Sequence, residues 1–397
     1  MTPSFTIEDA PILGSGLLHC VYIIVNPTEV EGLKLVIKTT DYAFVATTSV
    51  NTQFQKGNII NLPVIDLNNL TPKPRVRRCV LWGDSITVPS YYIVYLQSLL
   101  GDEWEVIGGG IGGDGVQGIT CRQGANPICL KGAFTIPASN QQSVSISGLY
   151  STINDQHCSG LGIISRESYA TSASSLMNPV VIKFNDGDND IEVEGTISIS
   201  GDYNDGICSF KRSNSGEAVN VPDGANVITY GAREYKDAEV LVVYMGANLD
   251  YYADTGHGLS KDEVLAEFYK DIINNSTTKQ VVVVGFHMGY IQWKTGYSNT
   301  YWSESYRDLF LNTFGANYLD LKTEVINDAY NLLVETGAYT QGQEITVEDE
   351  TALDAGYWPE SFQQTHDLSD VHHSRYGSYA MAILVYRKMK ELGYLDY

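Results

Sequence analysis

The chain has 397 residues, more than one ordinary core accommodates, so two or three cooperating domains are expected. Apolar residues make up 43% and charged residues 18%, a globular composition, and a formal net charge of −22 argues against a nucleic-acid partner, which requires clustered Lys and Arg. No apolar run approaches the roughly 20 residues that span a bilayer, so no transmembrane segment is expected, and Met1–Ala10 lacks the basic-then-apolar pattern of a secretion signal.

In chain order, the first seventy or so residues read as β. Cys20–Val25, Lys34–Thr39 and Tyr42–Thr47 are β-branched or aromatic runs separated by Pro, Gly and Asp. The breaker stretch Thr71–Pro74 closes a module over residues 1–72, and the basic cluster Lys73–Arg78 reads as a linker edge. The segment Gly32–Leu67 resembles the closing strands of fimbrillin-like β-sandwich modules from Bacteroidetes surface proteins.

From Arg77 the pattern changes. Cys79–Trp82 and Trp104–Ile107 are short apolar strands, with helical spacing over Ser90–Leu100 between them. Glu239–Met245 and Gln280–Phe286 are continuous apolar runs, as in strands buried on both faces of a parallel sheet. Helices are expected over Lys261–Ile273, Tyr306–Phe314 and Tyr376–Leu392, the last stopped by Gly393. This alternation predicts a doubly wound α/β domain over residues 76–124 and 236–397. Residues 125–235, rich in Ser, Asn, Gly and Asp, predict a β-rich insertion with strands at Ser143–Ile146, Val180–Phe184 and Ile191–Ile199. Its Asp186–Asp190 run has Ile191 where a calcium-binding EF-hand loop needs Gly, so it reads as a hairpin turn. The six cysteines (Cys20, Cys79, Cys121, Cys129, Cys158 and Cys208) show no CxxC spacing, hence no zinc or redox motif; disulfides are permitted, with Cys121 and Cys129 the nearest pair.

Four blocks carry chemistry. Gly83–Asp84–Ser85 follows the first α/β strand and holds a serine at the sheet's C-terminal edge, where ligands bind in open α/β folds. The stretch Gly108–Asp114 follows the second strand as a glycine-rich loop able to turn backbone N–H groups toward one point. Its spacing is not GxGxxG, and the helix a dinucleotide site requires is expected to be interrupted by the insertion. Gly246–Ala247–Asn248 follows the third strand, where an Asn amide can donate to a developing oxyanion. Last, Ser369–Asp370–Val371–His372–His373–Ser374 precedes the final helix, placing a carboxylate beside histidines that could serve as general base.

In this order the blocks resemble the SGNH (GDSL-like) hydrolase family. The resemblance covers the α/β residues and implies a flavodoxin-like three-layer fold and a serine esterase that needs no metal or organic cofactor. It implies Ser85 as nucleophile, and Gly113 and Asn248 as oxyanion donors with the Ser85 N–H. The stretch Gly109–Gly124, with Arg122–Gln123–Gly124, also resembles a subgroup with a β-rich insertion at this point. For the base, the family's Asp–His spacing selects Asp370 with His373. Its Ser two residues and Gly five residues after the histidine select His372, with Ser374 and Gly377. The preferred assignment is His372 with Asp370, His373 remaining a candidate. His19, His157, His257, His287 and His366 match no motif, though His287 ends a buried-looking strand and could line the pocket.

The β-rich extra modules and tyrosine content favour a short acyl ester, acetyl on a glycan, and Trp293, Tyr297, Tyr301 and Trp302 could form a sugar platform. A lipase or thioesterase, or a non-catalytic surface adhesin or virion fibre protein, are the alternatives. The module resemblance implies an extracellular, cell-surface or periplasmic address.

Overall fold

The computed structural model describes side chains for residues 76–88, 91–151, 176–198, 208–246, 260–287, 302–364 and 372–396; other strand segments named below are described by backbone alone. The chain divides into two compact units, Met1–Arg77 and Arg78–Asp396.

In the first unit, Ser4–Ile7, Leu33–Lys38, Tyr42–Thr48 and Lys73–Pro74 form a four-stranded sheet in that order. Its first pair is parallel and the others antiparallel. Glu29–Val30 pairs with Thr52–Gln53. Lys73–Pro74, expected as breaker and linker, is instead a two-residue edge strand, a place where a proline without an N–H is tolerated. Cys20–Val25 lies outside the described residues.

The second unit is built on a five-stranded sheet: β1 (Arg77–Gly83), β2 (Trp104–Gly110), β3 (Val240–Tyr244), β4 (Val281–Val284) and β5 (Tyr318–Leu319). Their spatial order is β2-β1-β3-β4-β5, one of the two common orders of open α/β sheets. The pairs β1–β3, β3–β4 and β4–β5 are parallel. The described helices of this unit include α1 (Tyr91–Leu100), α2 (Val116–Gln123), α3 (Lys261–Asn275), α4 (Glu304–Phe314) and α5 (Arg375–Glu391). They fall into two packed groups, α1 with α5, and α3 with both α2 and α4. Every residue of β3 and β4 is buried, as a sheet covered on both faces requires. The α/β expectation therefore holds.

Local chemistry sets the helix ends. Ser260 and Glu263 form a reciprocal capping box at the start of α3. Ser374 caps α5, whose last turn carries Lys388 and Lys390 beside the negative end of the helix dipole. Two expectations need correction. Gly108–Gly110 belong to β2 and are not loop, and a helix, α2, does follow the glycine segment before the insertion begins.

The insertion is an eight-stranded antiparallel sheet, ordered Val144–Ile146, Ile207–Arg212, Asp190–Ser200, Val180–Asn185, Asn226–Ile228, Ile128–Leu130, Leu149–Ile153 and Gln156–Ser159. Ile128, Leu130, Ile182, Ile197 and Phe210 fill its own core, which Ile111 and Cys121 of the α/β domain join. Asp186–Asp190 is a hairpin tip in which Asp186 Oδ1 accepts from the N–H groups of Asp188 and Asn189 at 3.0 and 2.8 Å. Among the described residues Cys79, Cys121, Cys129 and Cys208 form no disulfide, so Cys121 and Cys129 are not bridged to each other; Cys20 and the Cys158 side chain lie outside the described residues.

Candidate active site

At the end of β1 the chain makes one turn of 3-10 helix, Ser85–Thr87, capped by Asp84. Asp84 is fully buried; its Oδ1 accepts from Ile86 N at 3.1 Å and its carbonyl from Thr87 N and Oγ1 at 3.1 and 3.0 Å. These bonds fix the turn and leave Ser85 half-buried at the sheet's C-terminal edge. Gly83 is required there, because a Cβ would stand 2.1 Å from the Tyr244 carbonyl on β3.

The end of β2 presses on the same turn. A Cβ on Gly110 would lie 2.2 Å from the Thr87 carbonyl carbon and 2.3 Å from Val88 N, so only glycine permits the approach. Ile111 N donates to Gly83 O at 3.4 Å, and Asp114 N to Ile111 O at 3.2 Å, closing a turn through Gly113, which has φ +74°.

Arg122, fully buried on α2, ties these pieces together. Its Nε and Nη2 donate to Asp114 Oδ2 at 3.0 and 2.7 Å, and its Nη1 to Gly109 O at 2.6 Å. Nη2 also reaches Gly83 O at 3.4 Å, and the guanidinium lies 5.7 Å from the Trp82 ring centroid. Gln123 Nε2 donates to Ser276 Oγ at 3.2 Å, anchoring α2 to the end of α3, and Gly124 (φ +91°) turns the chain into the insertion. The Arg122–Gln123–Gly124 run thus has a physical account. Asp114 as the arginine's partner carries no motif and was not foreseen.

On the other side, Tyr244 stands opposite Gly83 in the β1–β3 register. Its hydroxyl lies 2.9 Å from Nδ1 of His287, just past β4. Burial, reinforced by the Asp84 charge, pushes the Tyr244 phenol well up, so it stays protonated. The His287 ring is 4.1 Å from that of His373 and 5.1 Å from Trp358, centroid to centroid, and Trp358 stacks on His373 at 4.9 Å. Trp358 carries no signal in the sequence; His287 does, as the end of an apolar strand.

His372 and His373 lead into α5. The segment is pinned to the preceding turn by Gln364 N donating to His372 O at 3.1 Å and Ser374 N to Phe362 O at 2.8 Å. Both histidines are partly exposed as whole residues. Both ring nitrogens of His373 are buried, with no hydrogen-bond partner among the described residues. Burial, then the neighbouring His372, pushes the His373 imidazole down to about 3, so it is neutral. Ser374 and Gly377 have structural reasons to be present. Ser374 Oγ accepts from Gly377 N at 3.2 Å, and a Cβ on Gly377 would meet Phe362 O at 2.3 Å.

The Ser85 turn, the Gly113 loop and the His373 ring are thus linked through Gly83, Tyr244 and His287 along one edge of the sheet. Asn248, Asp370, Trp293, Tyr297 and Tyr301 lie outside the described residues. Trp302 is engaged already, its Nε1 donating to Asp320 at 2.8 Å and Lys322 Nζ sitting 4.2 Å from its ring centroid.

No protein-family model and no curated protein matches the chain. Among solved structures it matches "Peptidoglycan O-acetylesterase in action, 5 min" at 10% identity, over 80% of this chain and 91% of that chain, with a TM-score of 0.28. A score that low carries no argument about the site.

Proposed function

We propose that the chain is a serine esterase of the SGNH type, acting on short acyl esters, acetyl on a glycan foremost, with Ser85 as nucleophile. The observation that carries this reading is the contact between the Ser85 turn and the end of β2, where Gly110 abuts Thr87 and Val88. It sets a serine beside a glycine turn at the edge where open α/β sheets bind ligands. In the proposed reaction the Ser85 hydroxyl attacks the ester carbonyl while His372, oriented by Asp370, accepts its proton. The oxyanion is held by the N–H groups of Ser85 and Gly113 and the Asn248 amide. The protonated histidine returns its proton to the departing alcohol, leaving an acyl-serine; water, deprotonated by the same histidine, releases the acid and restores the hydroxyl. His372 is preferred because His373, desolvated and held near pKa 3, is a weak proton acceptor.

Hydrolysis of p-nitrophenyl acetate tests the reading. Ser85→Ala should reduce turnover at least about 10³-fold while leaving the melting temperature unchanged, since Asp84 and not Ser85 caps the turn. A C8 ester hydrolysed faster than a C2 ester would replace the acetyl assignment by a lipase or thioesterase.

The same burial of His373 favours a second reading. His373, the histidine that the family's usual Asp–His spacing selects, is then a poor base, as in a non-catalytic surface or fibre protein with a degenerate hydrolase domain. Absence of turnover on short esters and acetylated glycans alike would select it.

A further inference from the structure

The first two turns of α1 and α5 carry a row of tyrosines that begins on the core and runs out to the surface. Tyr95 stacks on Tyr379 with centroids 4.2 Å apart and planes within 11°, and Tyr91 continues the row at 6.1 Å from Tyr95. Tyr95, Tyr376 and Tyr379 are partly buried against the core, while Tyr91 and its neighbour Val94, 58% and 64% exposed, carry the row out to solvent. Arg375 closes it. Its guanidinium lies 4.6 Å from the Tyr376 ring centroid and donates to the Tyr376 hydroxyl at 2.5 Å. In a chain of net charge −22, no carboxylate among the described residues lies within ion-pair distance of this exposed arginine.

The row also sits at a particular place. Tyr91 opens the helix that follows the Ser85 turn, and Arg375 opens the helix that follows His372 and His373. We infer that the adjoining first turns of α1 and α5 are a saccharide-binding surface beside the Ser85 turn, taking a glycan that bears carboxylate groups. Tyrosine faces present rigid apolar area with a polar rim, which suits the C–H faces and hydroxyls of sugar rings. Arg375 has donors to spare for a carboxylate, and a guanidinium meets that group through paired hydrogen bonds. The placement beside the nucleophile bears on catalysis only through the esterase reading; the binding surface itself does not need it.

Binding is measured by calorimetry on the full-length Ser85→Ala protein. The probes are ester-free oligomers of galacturonate, glucuronate and N-acetylneuraminate, with neutral galactan and glucan oligomers of equal length. Acidic oligomers should bind more tightly than neutral ones. Arg375→Gln should erase that preference by lowering affinity for acidic oligomers about tenfold, and Tyr91→Ala should weaken both classes severalfold, with melting temperatures unchanged. Failure of every acidic oligomer to bind, or equal binding of both classes with Arg375→Gln indifferent, overturns the inference. Because the probes carry no ester, a failed esterase reading shows instead as absent turnover with binding intact.

Discussion

Arg122 gives two hydrogen bonds to one oxygen of Asp114, and neither side chain is more than 1% exposed. Through the remaining donors the same arginine holds the carbonyls of Gly109 and Gly83, so one cation fixes the ends of two strands and the turn that carries Gly113. Removing it strands a buried carboxylate. Arg122→Met should lower unfolding stability by about 3–5 kcal/mol in urea titrations. Arg122→Lys should keep more of that stability yet slow p-nitrophenyl acetate hydrolysis, because a point charge cannot span Asp114 and two carbonyls at once.

The two histidines before α5 should separate cleanly. His372→Ala should remove most turnover with little change in stability. His373→Ala should open a gap between His287 and Trp358 and cost about 2–4 kcal/mol by chemical denaturation. Turnover surviving in the first variant and lost in a still-folded second would move the base to His373.

Acid should reveal His373 in a second way. Its pKa is near 3 in the folded protein against 6.5 in an unfolded chain, so between those values the unfolded state binds the extra proton. Stability from this group is therefore complete above pH 6.5 and falls as pH drops toward 3, by up to about 1.4 kcal/mol per pH unit. His373→Phe, similar in bulk and unable to titrate, should show a shallower loss over that window in urea midpoints measured from pH 7 to 4.

Gly110→Ala should destabilise the protein by at least about 1–3 kcal/mol and depress turnover, because its methyl would meet backbone rather than a yielding side chain. Gly112→Ala, where a Cβ has nothing within 4 Å, is the matched control and should leave the melting temperature in place.

How much of this was readable in advance depends on what each residue touches. Val240–Tyr244 and Val281–Val284 announced a sheet buried on both faces, because unbroken apolar runs of that length have few other uses. Tyr318–Leu319 did not; two residues cannot show a period. Gly108–Gly110 looked like loop because glycine usually marks one. Here Gly109 and Gly110 lie in a strand where Trp82 and Thr87 leave no room for a side chain. The serine turn was legible as a motif. The cluster of Tyr244, His287, His373 and Trp358 was not, because it depends on which strand ends become neighbours, and only the sheet order decides that.

The inserted sheet leaves and rejoins the α/β domain at nearly one point, for the Thr229 hydroxyl donates to the Arg122 carbonyl at 2.6 Å. Loop-closure entropy rises only slowly with length, so the excursion between those two residues could grow or shrink at little cost to the rest. Its inner layer has no such licence. Ile111, 4% exposed, opens the turn through Gly113 and is packed in the insertion's core with Ile128 and Ile182. A chain shortened from Gln123 straight to Thr229 would keep its path and lose its backing, and the turn that would cradle an anion would go slack.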